Sequence, residues 1–239
     1  MKKAVIVYGG WDGHEPEKVA ERFKIFLSES GFEVTVSDSL EIFEDLVRLK
    51  GYDLIVPVWT MGEISDEQCN NVSEAVAEGT GLAGCHGGLC DAFRNSVLWQ
   101  FITGGNWVVH PGGDGIEYTV NILDSSSELV RGIGDFKVTS EQYYLHVDPA
   151  VKVLATTKFP VAIWYHSAND PVDMPVSWIK KWGLGHVYYN SLGHHNDVFD
   201  TPEAFEMMKR GLIWASEGKE RAAENNNSAD EYRNDGKMF

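Results

Sequence analysis

Residues 81–94 read Gly-Leu-Ala-Gly-Cys-His-Gly-Gly-Leu-Cys-Asp-Ala-Phe-Arg. A short apolar run over 81–84 stops at Cys85-His86-Gly87-Gly88, and a helix-like segment begins near Asp91. A buried strand that turns sharply into a helix exposes its turn residue at the carboxyl edge of a sheet, where open α/β sheets bind ligands. Glycines at such a turn permit a strained backbone and a close approach, as in the turns that present hydrolase nucleophiles. Here the apex carries a thiol and an imidazole side by side, which marks a candidate chemical site.

Upstream, the pattern alternates. Residues 2–8 form a β-branched apolar run bounded by Gly9-Gly10, a buried first strand. Glu15-Pro16-Glu17 opens a helix, with Val19, Phe23, Phe26 and Leu27 at helical spacing and Gly31 as its stop. Residues 33–37 and 52–59 read as strands, 42–49 as a helix, and Ser65-Asp66-Glu67 caps a helix running to Gly79. This β-α-β-α repetition predicts a mostly parallel sheet with helices on both faces.

Downstream, residues 93–103 read as a helix and 106–109 as an apolar strand leading into His110-Pro111-Gly112-Gly113. Residues 118–123, 136–138 and 151–157 look like strands, some alternating in the antiparallel manner. Residues 175–182 and 186–190 form a hairpin around Gly183. Thr201-Pro202-Glu203 starts a last long helix with Phe205, Met208, Leu212 and Ala215 on one face. We expect a single α/β domain over 1–218 and a polar, loosely packed tail over 219–239.

Composition narrows the function classes. A formal net charge of −16 over 239 residues argues against nucleic acid as a partner. Three cysteines without a Cys-x-x-Cys pair suggest no disulfide framework. Gly9, Gly10 and Asp12 interrupt the first apolar run before it reaches signal-peptide length, and no stretch is long enough to span a bilayer. The expectation is a cytoplasmic protein with no membrane partner. The abundant aromatics point to a homo-oligomeric surface.

Five motifs, in order, carry a family resemblance: GGWDGHEPE at 9–17, GLAGCHGGLCDAFR at 81–94, WQFITGGNWVVHPGG at 99–113, EQYYLHVDP at 141–149 and MPVSWIKKWGLGHVYYNSLGHH at 174–195. Together they resemble the ThuA-like trehalose-utilization family. The resemblance implies a flavodoxin-like three-layer α/β/α sandwich, similar to class I glutamine amidotransferases, with antiparallel additions in the C-terminal half. It also implies a carbohydrate-processing protein of sugar catabolism. Where those amidotransferases hold a catalytic Cys, ThuA-like proteins usually hold His, here His86. Successive strand residues point to opposite sides, so Cys85 should face the core. The segment 193–197 supplies no His-x-Glu partner for an amidotransferase triad, which argues against that activity.

The histidines suggest the chemistry. His14, His86, His110, His146 and the pair His194 and His195 lie past strand ends or in motif loops, where loops of a parallel sheet converge; His166 and His186 lack that context and read as surface or structural. One reading is a divalent metal, zinc first, held by His14, His86 and His110. The other is metal-free acid/base chemistry on a sugar, with His86, His14 and Glu141 as catalytic residues. In either, Trp11, Arg94, Tyr143, His146 and His194 would bind the sugar substrate, the aromatics by stacking. Trp59, Trp99, Trp107 and Trp178 sit in apolar runs and read as core. No nucleotide is expected, because the loop at 9–16 lacks G-x-G-x-x-G and a Walker lysine, and Asp12 and Glu15 would repel phosphate. The reaction expected is that of a metal-assisted lyase, hydrolase or isomerase. The alternative is a non-catalytic binding protein on a degenerate amidotransferase-like fold.

Overall fold

The strands of the first half lie side by side, as their uninterrupted apolar runs require. In a computed structural model, which describes residues 1–123, 125–160 and 164–233, a nine-stranded mixed sheet runs through the molecule. Its parallel part has the order β2 (Glu33–Ser37), β1 (Lys3–Gly10), β3 (Leu54–Thr60), β4 (Gly81–Cys85) and β11 (Gly185–Asn190). The sheet continues antiparallel through β10 (Val172–Trp182), β9 (Lys152–Phe159), β6 (Ile116–Ile122) and β7 (Phe136–Ser140). Every residue of β4 and β11 is buried, the signature of strands covered on both faces, whereas edge strand β7 alternates buried and exposed.

That covering forms two cores. Ala4, Ile6, Val56, Ala83 and Tyr188 pack with α1 (Pro16–Glu29) and α6 (Pro202–Ala215), including Phe23 and Leu212. The alternate residues Val5, Val7, Ile55, Leu82 and Val187 pack with Val72 and Val76 of α3 (Asp66–Ala77) and Trp99 and Ile102 of α5 (Val97–Thr103). The period of two along each strand thus produces the three-layer sandwich. A single Phe23→Ala change in this close-packed interior would cost about 3–5 kcal/mol.

Several boundaries differ from expectation. The helix expected over 42–49 is broken, because Asp45 accepts the Arg48 N–H and starts α2 (Leu46–Lys50) after a separate 3-10 segment, Leu40–Glu44. The helix expected at 93–103 begins only at Val97, capped by Ser96, and a single turn α4 (Gly87–Cys90) precedes it. The strand β5 (Gly105–Val109) leaves the main sheet and pairs antiparallel with β8 (Tyr144–Val147). The segment expected as a loose tail instead carries α7 (Gly218–Glu224). Lys219 Nζ donates to Lys50 O at 2.6 Å, Ala222 is buried, and Arg233 pairs with Glu74 and Glu78. Residues 234–239 of that segment lie outside the described residues. Among the described residues no helix is long and apolar enough to cross a membrane.

Candidate metal centre

At the carboxyl edge of β4, His86 takes φ 49° and ψ −133°, a backbone conformation rare for a non-glycine residue. The turn closes only because residue 87 is glycine: a Cβ there would stand 2.7 Å from Thr60 and 2.8 Å from His14 Cε1. The His86 N–H donates to Asn190 O at 2.7 Å, which ties the turn to the end of β11. His86 Nδ1 lies 2.8 Å from Ser191 O. A carbonyl only accepts, so Nδ1 carries the hydrogen and Nε2 presents a lone pair.

That lone pair faces Glu141 Oε2 at 3.1 Å. Glu141 comes from the connection between β7 and β8 and is buried. Two more imidazoles reach the same oxygen: His194 Nδ1 from the loop after β11 at 3.3 Å, and His14 Nε2 from the 3-10 turn after β1 at 3.9 Å. The His14 ring is held from behind by Thr60 Oγ1, 2.9 Å from Nδ1. One ligand atom from each of His14, His86, His194 and Glu141 can be chosen so that all lie within 4.8 Å of one another.

Burial sets the charges. It pushes the His14 imidazolium down to about 2, assisted by His86 and His194 beside it. It also lowers His86, against the opposing pull of Glu141. His14 and His86 are thereby held neutral beside the Glu141 carboxyl, and His194 Nδ1 is buried without a hydrogen bond. Acceptors gathered in this way fit a cation. Ligands about 2.0–2.1 Å from a tetrahedral zinc stand about 3.3 Å apart, close to the 3.1 and 3.3 Å seen between Glu141 and its nearer imidazoles. Imidazoles with one carboxylate also suit manganese or iron.

Comparison with known proteins identifies the family and the fold. The family described as "ThuA: Trehalose utilisation" matches residues 3–215. The chain belongs to the ThuA family. A ThuA-like protein of Bacteroides uniformis superposes with a TM-score of 0.71 at 16% identity, over 90% of this chain and 91% of that one. A second, from Parabacteroides merdae, gives 0.68 at 18% identity over 91% of each. A β-galactosidase of Bacillus circulans gives 0.55 at 14% identity, over 95% of this chain but 32% of its own. At these identities the likeness is one of fold. No curated protein matches the sequence.

In this ThuA chain two of the expected set His14, His86 and His110, namely His14 and His86, join His194 and Glu141 in a group that could hold a metal ion, and His110 is not part of it. His110 lies against the other carboxylate oxygen, its Nδ1 3.2 Å from Glu141 Oε1, and its side chain is about a third exposed. The cause is topological. β5 belongs to the separate ribbon, so its loop approaches Glu141 from the side. His194, expected on the substrate side, follows β11, a strand of the parallel sheet, and so reaches the centre. His146 is not brought to the site: it is exposed on β8, while Tyr143 and Leu145 are buried.

Tyr143 stacks on His86 with ring centroids 4.0 Å apart, and burial raises its phenol well above the ordinary value. Trp11, 46% exposed, meets the His14 ring edge to face with centroids 4.7 Å apart. Arg94 bonds the buried Asp91 and lies over the Trp107 ring at 4.3 Å; that ring in turn neighbours His110 and Tyr143. Trp107 is thus a wall of the site rather than core, whereas Trp99 and Trp178 are fully buried. Cys85 faces the core near Phe199, and burial pushes its thiol up to about 12. His186 is structural, stacked on Trp214 with Nδ1 on its carbonyl, and His166 is exposed. Thr60 and Ser191, which hold the His14 and His86 rings, were not among the expected residues. The signal for Thr60 was its place at the end of β3.

Proposed function

We propose that the chain is a metal-dependent enzyme of sugar catabolism, acting on a small hydroxylated substrate by lyase, hydrolase or isomerase-type proton chemistry. The observation that carries this reading is the convergence of His14, His86, His194 and Glu141 with their ligand atoms facing one another. These residues would hold the ion, which when bound supplies Lewis-acid polarisation of an oxygen or an acidified water. Zinc is the first choice for this donor set.

The rest of the work falls to the chain. Tyr143 keeps the His86 ring in plane by stacking. The exposed face of Trp11 offers a platform for a sugar ring. Arg94, oriented by Asp91 and Trp107, presents its remaining N–H groups at the rim. His110, the more exposed imidazole against Glu141, gives or takes a proton at Nε2. Cys85 has no part, because a buried thiol with a raised pKa is a poor nucleophile. In this reading the protein works in the cytoplasm, as a homo-oligomer, without nucleic acid, membrane or nucleotide.

Elemental analysis of the purified protein, with assays of disaccharide turnover, tests the reading. His86→Ala should lose both metal and turnover while remaining folded. Turnover that survives in His86→Ala removes this site from the mechanism. Calorimetric binding of disaccharides with metal present and no turnover would favour a binding protein instead.

A further inference from the structure

His14 and His194 come from distant parts of the chain, and their ring centroids lie 4.9 Å apart. His14 is held from behind by Thr60 and His86 by Ser191. Among the described residues no hydrogen bond holds the His194 ring in the same way, so its backbone and the rings packed on it carry more of its positioning. What fixes this backbone lies one and two residues beyond the two ligands.

Glu15, directly after His14, sits in the left-handed region at φ 48° and ψ 47°. From there its carboxylate Oε2 accepts the backbone N–H of Asn196 at 3.1 Å, two residues past His194. Asn196 opens the 3-10 turn Asn196–Asp200, whose first N–H groups have no partner within the turn. Two turns further along α1, Arg22 completes the hold with all three guanidinium nitrogens. Nε donates to Asn196 Oδ1 at 2.7 Å, Nη1 to Phe199 O at 3.3 Å, and Nη2 to Asp200 Oδ1 at 2.7 Å. A planar guanidinium with several bonds to one segment fixes its position as well as its distance.

We propose that Glu15 and Arg22 are positioning residues. They form a clamp between the β1–α1 and β11–α6 connections that sets the separation of His14 from His194, and with it the affinity of the metal centre. The inference rests on the metal reading above. Neither residue is among the candidate ligands. Each acts through the backbone that carries a ligand.

The test uses the full chain with Co²⁺ as the probe, whose visible absorption reports the ligand set. Arg22→Ala should weaken Co²⁺ binding about 10–100-fold, the usual cost of losing an outer support of a metal ligand, and should alter the absorption spectrum while the far-ultraviolet dichroism stays native. Arg22→Lys should recover part of the affinity. Asn196→Ala, which removes one acceptor from the opposite side, should shift it in the same direction and serves if Arg22→Ala fails to fold. In a His194→Ala background, Arg22→Ala should add little, because the clamp acts through that ligand. Fully additive losses, or unchanged affinity in Arg22→Ala and Asn196→Ala beside a tightly binding wild type, overturn the clamp alone. A wild type that takes up no Co²⁺ overturns the metal reading and the clamp with it.

Discussion

His86 Nε2 stands 3.1 Å from Glu141 Oε2 with no hydrogen of its own to share, because Nδ1 of the same ring donates to Ser191 O at 2.8 Å. Two acceptors held this close in a buried place repel unless a positive charge lies between them. The relationship predicts opposite effects on the empty and loaded protein. Glu141→Gln should abolish tight metal binding, with a loss exceeding the roughly 10–100-fold of an outer-shell change. It should leave the metal-free protein at least as stable, since the amide donates where the carboxylate could not. Thermal unfolding checks both: wild type gains stability on adding Zn²⁺, about 2.7 kcal/mol at a hundredfold excess over Kd, and Glu141→Gln gains none. A Glu141→Gln protein stabilised by zinc as much as wild type would contradict the assignment.

Thr60 supplies a second prediction. Its hydroxyl is the only partner described for His14 Nδ1, at 2.9 Å, and it is buried. Thr60→Val keeps the shape and removes the hydroxyl, so His14 loses the bond that turns Nε2 inward. Metal affinity measured by chelator competition should fall about 10–100-fold, and Thr60→Ser should restore it. Equal affinity in Thr60→Val would mean that packing alone orients the ring.

Much of this was readable before the fold was known, and the reasons for the exceptions are physical. Apolar runs bounded by glycine mark β1, β3 and β4, and a carboxyl-edge site follows from their parallel pairing. The glycines beside His86 signalled a tight turn, and a Cβ at residue 87 would meet Thr60 and His14 at under 3 Å. Local pattern says nothing about partners, however. Residues 105–109 are as apolar as a sheet strand, yet they pair with β8, and that choice moved His110 to the outer oxygen of Glu141. His146 shares a motif with Glu141, but the alternation along β8 turns it outward. The polar segment after 218 looked loose because its attachment is made by Lys219 capping distant carbonyls and by Arg233 ion pairs, which no hydrophobic periodicity reveals.

The cysteines give a third prediction. Cys69, Cys85 and Cys90 are free and buried, and burial raises each thiol above its ordinary value. Since the thiolate is the reacting form, a maleimide or disulfide reagent should label the native protein slowly at neutral pH and rapidly in denaturant. Cys85→Ala should retain metal and turnover at a stability cost of about 1 kcal/mol. Fast native labelling of Cys85, or loss of turnover in Cys85→Ala with metal retained, would reinstate a thiol mechanism.

The Asp148–Lys180 pair gives a prediction for acid. Lys180 Nζ lies 2.6 Å from Asp148 Oδ2 and also reaches the Phe101 carbonyl, while Asp148 Oδ1 accepts the Ala150 N–H at 2.8 Å. Burial tends to raise the Asp148 carboxyl, but Lys180 and the Ala150 N–H outweigh it and hold the group below its ordinary value. A group whose folded pKa is depressed stabilises the native state above its unfolded value, about 3.9 for aspartate, and that contribution is lost as pH falls through the folded value. Asp148→Asn removes the dependence and leaves Lys180 buried with one partner fewer. Urea denaturation should therefore find wild type more stable than Asp148→Asn by a constant margin above about pH 5, with the margin shrinking on further acidification. A margin that grows towards low pH would show that the carboxyl is raised in the folded state and that the pair does not hold β10 to the turn after β8 in the way its geometry implies.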